Sequence, residues 1–372
     1  MTDLPDRVGI VGAGVMGRDI SAVFAATGHD VTLVDVDPDA LEAARDYHER
    51  TALPILERAG YTPSAPIARR IEYGSSIADV ADAGFVLETV TESLSTKRSV
   101  VAEVATETPS AVPIGTNTSS LTANEIGARI ENPGRVLLFH FAKPAIERDL
   151  VELAGEHVPD ATLNLAGELA RLIGKEPVEL ARERRGNGLS RLSAAIKAAA
   201  TWQLERTTPG AIDRAAAAVG FERGPIELID AIGLDVHLAT VSNLQTAYGG
   251  RFDPPASVRT EIEAMVDRGH LGQKSGKGFF EWTDDRAHVP EGDADTEHIE
   301  PVLSALVNEA HRMVADGIAP AETIDRLFRL GSGGPVGPFD LEDLLGREYI
   351  RELLESRYRE TGSPLFQPAD RL

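Results

Sequence analysis

The chain has 372 residues, 42% hydrophobic and 26% charged, with 34 glycines and 22 prolines; this fits a soluble globular protein of two or three domains and excludes collagen-like, low-complexity and largely disordered chains. It contains no cysteine, which excludes disulfides, thiolate catalysis, zinc–cysteine sites and iron–sulfur clusters and leaves any electron transfer to an organic cofactor. Asp and Glu total 59 against 37 Lys and Arg, a formal charge of −22 that repels nucleic-acid phosphate and anionic lipid and suggests adaptation to high salt.

The start, Met1 to Arg7, shows no basic region followed by an apolar run, and no later run approaches the roughly 20 residues that span a bilayer, so a cytoplasmic location with no membrane or nucleic-acid partner is expected. Val8–Val11 reads as a strand. Gly12-Ala13-Gly14-Val15-Met16-Gly17 follows as a turn, then a helix through Ala26 closed by Gly28, then a second strand, Val31–Val34, ending in Asp35. Gly12 suits the tight turn, Gly14 lets a pyrophosphate approach the backbone N–H groups of the Val15–Met16 turn, and Gly17 packs helix against strand. Asp35 stands 18 residues beyond Gly17, where a carboxylate accepts both ribose hydroxyls of NAD and repels the 2′-phosphate of NADP. The pattern by itself does not separate NAD from FAD.

Gly84–Glu88 and Ala111–Gly115 read as further buried strands of a parallel sheet, followed by Arg135–Phe139, Leu150–Leu153 and a closing run at Pro177–Leu180. Nucleotides bind at the carboxyl ends of such strands, which directs attention to Thr118-Ser119-Ser120, His140 and Glu152. Imidazole titrates near neutrality, so His140 suits a general base, and Glu152 could orient it; a satisfied core or supporting histidine is the alternative.

Beyond about residue 184 the pattern turns helical and repeats itself. Ile212-Asp213-Arg214 recurs as Ile324-Asp325-Arg326, Gly224-Pro225 as Gly337-Pro338, and Phe252-Asp253-Pro254 as Phe366-Gln367-Pro368, an offset of 112 to 114 residues. The boundaries expected are 1–184 for an NAD-binding Rossmann domain, 185–284 for a first helical domain and 285–372 for its copy, the copy opening on an acidic linker from Asp284 to Glu300.

The segments VGIVGAGVMGRDIS, VLETVTESLSTK, GTNTSSL, HFAKPAIERDLVEL, GPIELIDAIGLD and LGQKSGKGFFEW, taken in order, make the chain resemble the short-chain L-3-hydroxyacyl-CoA dehydrogenases of fatty-acid β-oxidation. The resemblance implies a Rossmann domain followed by tandem all-α domains of the 6-phosphogluconate-dehydrogenase C-terminal type, with NAD as cofactor and an acyl-CoA as substrate. It places Ser119, His140 and Glu152 in the active site and directs Glu92, Lys97 and Lys274 to the cofactor or the coenzyme A end. Thr51 and Arg58 fall where the family uses a serine and a lysine toward coenzyme A. Lys143 stands where the family has a cofactor-contacting Asn, and Ser190 where it has its active-site Asn; serine is shorter and cannot match both functions of the amide. Single-repeat members resemble dimers joined through the helical domain, so the copy could replace the partner subunit, leaving a monomer or a dimer through another surface. These departures leave three functions open: a 3-hydroxyacyl-CoA dehydrogenase, a dehydrogenase of a free hydroxy acid related to gulonate dehydrogenases, and a non-catalytic NAD-binding protein. None requires a metal.

Overall fold

The computed structural model describes residues 4–283 and 286–372. Met1 to Asp3, and Asp284 and Asp285 at the head of the expected acidic linker, lie outside the described residues. The chain divides into two compact units: one ends at Asn187 and also takes in Leu330–Ser332, the other runs from Gly188 to Leu372 without those three.

The first unit is built on an eight-stranded sheet of β1 (Arg7–Val11), β2 (Asp30–Val34), β3 (Ile71–Gly74), β4 (Phe85–Glu88), β5 (Ile114–Thr116), β6 (Val136–Phe141), β7 (Leu150–Ala154) and β8 (Glu176–Glu179). Their spatial order is β3-β2-β1-β4-β5-β6-β7-β8, with helices α1 (Val15–Ala26), α2 (Pro38–Arg50), α3 (Ala52–Arg58), α4 (Leu94–Glu107), α5 (Ala123–Gly127) and α6 (Asp160–Leu172) between strands. The expected Rossmann arrangement of parallel strands is present from β3 to β6. The sheet is not parallel throughout: β7 runs antiparallel to β6, and β8 pairs parallel to β7. Strand β5 begins at Ile114, not Ala111, because Val112 N–H is turned to Pro109 and Pro113 has no N–H to give to a ladder.

Continuous apolar runs form the central strands because both faces are covered: Val8 and Ile10 of β1, Phe85 and Leu87 of β4, and Leu137 and Phe139 of β6 are all wholly buried. Helix α2 starts cleanly, with Pro38 at its first position and the Asp37 side chain accepting from Asp39 N–H at 3.0 Å. Its buried His48 fastens it to its neighbours: Nε2 donates to Arg18 O at 2.8 Å and lies 3.1 Å from Ser21 Oγ, while Nδ1 meets Tyr73 OH at 2.9 Å.

The second unit comprises α7 (Leu189–Gln203), α8 (Pro209–Ala218), α9 (Pro225–Ile232), α10 (Leu234–Tyr248), α11 (Ala256–Asp267), α12 (Glu300–Ala315), α13 (Ala321–Ser332), α14 (Pro338–Leu345) and α15 (Arg347–Thr361), α13 giving its last three residues to the first unit. Helices α7 and α12 pack along one another and share a buried ion pair, Arg191 Nε to Glu309 at 2.6 Å. Two turns are built alike: the Asp213 carboxylate accepts from Ile226 and Glu227 N–H at the start of α9, and Asp325 accepts from Phe339 N–H at the start of α14. The acidic stretch before α12 is tied down, since Arg214 donates to the carbonyls of Pro290 and Asp293. No helix among the described residues is long and apolar enough to cross a membrane.

Burial pushes the His48 imidazole down to about 4. The folded protein thus binds the neutral ring, and the stabilisation is complete above the unfolded value near 6.5 and lost as pH falls toward 4. Between about pH 7.5 and about pH 5 the wild type is expected to lose about 2 kcal/mol more unfolding free energy than His48→Gln, measured by urea titration of both; equal losses would show that His48 is not held neutral.

Candidate active site

Strand β1 delivers the chain into the glycine turn. Gly12 sits at φ +112° with its N–H on Val34 O at 2.7 Å, tying the turn to the end of β2. At Gly17 a Cβ would lie 1.8 Å from Gly12 O, so only glycine lets α1 start this close to the strand. A Cβ at Gly14 would meet nothing within 4 Å, and no side chain caps α1 there. The N–H groups of the first turn of α1 thus carry no side-chain cap, and the positive end of the helix lies at that turn. Asp35 ends β2 half-buried, held by Ala13 N–H at 2.7 Å and Asp37 N–H at 2.9 Å. An uncapped helix start beside a strand-end carboxylate fits a dinucleotide: the N–H groups of that turn would hold the pyrophosphate and Asp35 the ribose.

Four strands along, the antiparallel register sets His140 of β6 directly opposite Glu152 of β7. Directly opposed residues project from the same face. His140 Nδ1 lies 2.6 Å from Glu152 Oε2, with the residues 7% and 0% exposed. A carboxylate removed from water this completely needs a partner, and the bond to Nδ1–H leaves Nε2 as the nitrogen that carries the basic lone pair. The next residue, Phe141, donates its N–H to Asn117 Oδ1 at 2.8 Å, which joins the end of β6 to the loop after β5.

That loop carries Ser119. Glu92 gathers it: one carboxylate oxygen accepts from Thr118 Oγ1 at 2.6 Å, Ser119 N–H at 3.0 Å, Ser120 N–H at 2.7 Å and Ser120 Oγ at 2.8 Å, with Ser119 Oγ at 3.4 Å. Behind Glu92 stands Lys97, whose ammonium reaches Glu88 at 2.8 Å, Val90 O at 3.1 Å and Glu92 at 3.4 Å. Burial opposes the charge on Glu92, but Lys97 and the hydroxyl donors outweigh it and hold the carboxyl below its usual range. The Lys97 side chain is 0% exposed and enclosed by Glu88, Val90 O and Glu92, so its contacts fix Glu92.

The far side of the same loop is held by the last residues of the unit. Glu183 accepts from Ala123 and Asn124 N–H, Arg185 pairs with Glu125 at 2.8 Å, and Asn187, wholly buried at φ +45°, donates from Nδ2 to Thr118 O at 3.1 Å. The sequence reading missed Asn117 and Asn187; for the second, an Asn between two glycines was a signal of left-handed backbone. Lys143 is exposed in the loop after β6, preceding a cis proline, and its charge acts on the buried Asp19 of α1. Thr51, between α2 and α3, and Arg58, at the end of α3, are surface positions. In the second unit Ser190 lies half-buried in the first turn of α7, and the exposed Lys274 is bonded to Asp235 at 2.7 Å.

Residues 7–184 match the family model described as 3-hydroxyacyl-CoA dehydrogenase, NAD binding domain, and residues 188–282 and 299–372 the one described as 3-hydroxyacyl-CoA dehydrogenase, C-terminal domain. The chain belongs to the 3-hydroxyacyl-CoA dehydrogenase family. Among relatives, the 3-hydroxyadipyl-CoA dehydrogenase of Escherichia coli (strain K12) is 32% identical over 79% of this chain and 63% of that protein. The peroxisomal bifunctional enzyme of Cavia porcellus is 28% identical over 98% of this chain and 55% of that protein. The chain thus spans between half and two thirds of the length of these curated relatives. The crystal structure of 3-hydroxybutyryl-CoA dehydrogenase from Escherichia coli K12 is similar with a TM-score of 0.83 at 25% identity, covering 98% of this chain and 96% of that one. The family is one of NAD-dependent oxidoreductases, in keeping with the glycine turn and Asp35.

Removing Lys97 would leave Glu88 and Glu92 buried without their cation. Lys97→Met is expected to destabilise the first unit by about 3–5 kcal/mol in urea unfolding; a loss below about 1 kcal/mol would show that the two carboxylates find another counter-charge.

Proposed function

We propose that the protein oxidises (S)-3-hydroxyacyl-CoA to 3-ketoacyl-CoA, reversibly. The observation that carries this reading is the buried 2.6 Å contact between His140 and Glu152 at the end of the sheet's nucleotide side. His140 Nε2 takes the proton of the 3-hydroxyl, Glu152 fixes the tautomer and stabilises the imidazolium that results, and Ser119 donates to the oxygen on carbon 3 as it becomes a carbonyl. NAD, held at the glycine turn and Asp35, supplies the hydride acceptor. Glu92 keeps the Ser119 loop in one conformation, so the hydroxyl is positioned before substrate arrives. The named activities of the two Escherichia coli relatives support an acyl-CoA as substrate.

We further read the second unit as a duplicated helical domain, divided near 284/285, in which α12 takes the place of a partner subunit's helix on α7; the buried Arg191–Glu309 pair supports this. A second substrate reading, a free hydroxy acid, is favoured only by the exposed cation Lys143. Activity on small hydroxy acids and none on coenzyme A thioesters would decide for it.

Reduction of acetoacetyl-CoA by NADH, followed by loss of NADH absorbance, tests the main reading. His140→Ala is expected to lower kcat by about 10³-fold, and Glu152→Gln by about 10²-fold, with NADH affinity kept in both. A His140→Ala enzyme within tenfold of wild type would remove the imidazole from the reaction.

A further inference from the structure

Asn187, the last residue of the first unit's main stretch, combines two unfavourable features in one residue. It is wholly buried, and among the described residues it is the only one other than glycine with a left-handed backbone, at φ +45°. Its Oδ1 is buried with no hydrogen-bond partner among the described residues. A positive φ is unfavourable for a residue with a Cβ, even for Asn, and an acceptor buried without a donor is destabilising. Glycine would remove both: it takes φ +45° freely and has no side-chain carbonyl to strand. The chain already has Gly186, at φ +84°, on one side and Gly188 on the other. A turn that needed only its backbone would be served better by a third glycine. What Asn187 supplies that glycine lacks is a donor: Nδ2 gives a hydrogen bond to Thr118 O at 3.1 Å.

That carbonyl belongs to the peptide unit joining Thr118 to Ser119. The unit is planar, and its C=O and N–H point to opposite sides. Asn187 holds the C=O, and Glu92 accepts from the N–H, that of Ser119, at 3.0 Å. Held at both polar ends, the plane cannot rotate about its own long axis. The units on either side are pinned in turn: Asn117 Oδ1 accepts from Phe141 N–H at 2.8 Å, and Ser120 N–H donates to Glu92 at 2.7 Å. The place of the Ser119 Cα, and the direction in which its half-buried side chain leaves the backbone, follow from these bonds. Without the Asn187 amide the Thr118–Ser119 plane is held at its N–H end alone and can rock about the bond to Glu92.

Strained backbone and stranded polar groups persist where function demands them. We propose that Asn187 is a positioning residue for the oxidoreduction, acting through Thr118 O to hold the Ser119 hydroxyl where it donates to the oxygen on carbon 3. The inference rests on the role given to Ser119 above. A hydroxyl fixed before substrate arrives loses no time or free energy in finding its place, and small displacements of such a group have large effects on rate. Asn187 is thereby dispensable for stability and necessary for rate, the reverse of a residue retained for packing.

The experiment measures kcat and KM for reduction of acetoacetyl-CoA by NADH, together with thermal unfolding, on the full chain as wild type, Asn187→Gly, Asn187→Asp, Ser119→Ala and the double variant Asn187→Gly/Ser119→Ala. Asn187→Gly is expected to unfold no more than about 3 °C below wild type, to lower kcat about 30-fold and to leave the KM for NADH within about twofold. Asn187→Asp keeps the shape of the side chain and tolerates the same backbone, but turns an acceptor toward Thr118 O; its kcat should fall at least as far. Ser119→Ala is expected to lower kcat about 10²-fold. The double variant decides the route. Because Asn187 acts through the Ser119 hydroxyl, adding Asn187→Gly to Ser119→Ala should lower kcat by less than about threefold. Losses that multiply in the double variant would overturn the proposal. An Asn187→Gly chain unfolding more than about 10 °C below wild type would do so too, since the amide would then be a structural strut. If Ser119→Ala behaves as expected while both Asn187 variants keep the wild-type kcat, this inference fails and the reading of the reaction stands. A wild type that turns over no 3-ketoacyl-CoA removes both.

Discussion

A carboxylate with no exposed surface, Glu152, sits in a sheet strand with one imidazole nitrogen within 2.6 Å. Leaving that carboxylate unpaired would cost several kcal/mol, so the histidine is bound to it as firmly as the strands are bound to each other. The pairing is a matter of register. Because β7 is antiparallel to β6, His140 and Glu152 are direct neighbours on one face; a slip of one residue would turn the carboxylate to the opposite face of the sheet. Asn117 adds a second constraint by accepting from the N–H of Phe141, so the end of β6 and the Ser119 loop move together. The geometry of the proposed chemistry is thereby written into backbone pairing, and side-chain flexibility has little part in it.

The charges behind the site follow the same economy of pairing. Lys97 answers Glu88 and Glu92, Arg135 gives its guanidinium to Val112 O and Thr108 Oγ1, and Arg191 meets Glu309, each inside apolar surroundings. Such networks fix one arrangement of the loops that contain them, since every alternative strands a charge.

What could be read from the sequence was local. The glycine turn, Asp35 and the apolar strands announce themselves because their physical reasons lie within a few neighbouring residues. His140 and Glu152 were legible as a pair only through the strand ends and the family resemblance; their contact depends on β7 reversing direction, which no apolar pattern records. Strand β3 escaped because Ile71–Gly74 is four residues at a sheet edge with a single buried side chain. The burial of Lys97 was hidden for a related reason: a lysine on a helix gives no sign that two carboxylates, one of them in a strand nine residues earlier, will enclose it. Asn187 and Asn117 act through backbone atoms of distant segments, and such partners are decided by the fold alone.

The stretches 188–282 and 299–372 of the helical unit share one structural feature and differ in the next. Both retain an aspartate that receives the N-terminal N–H groups of the following helix, and both require glycine there: a Cβ at Gly224 would fall 2.1 Å from Asp213, and one at Gly337 2.4 Å from Asp325. That contact closes a turn between two helices and is structural in either setting. The halves part at the next step. In the first, Asp230 accepts from Phe279 and Phe280 N–H and from Trp282 Nε1, holding the glycine-rich segment that carries Lys274 beside α9. In the second, Glu342 on the corresponding helix turns instead to His311 at 2.6 Å and to Arg347, joining α14 to α12 and α15. Asp230 organises a surface segment, whereas Glu342, which falls on Ile229 when the two stretches are laid together, is consumed in helix packing.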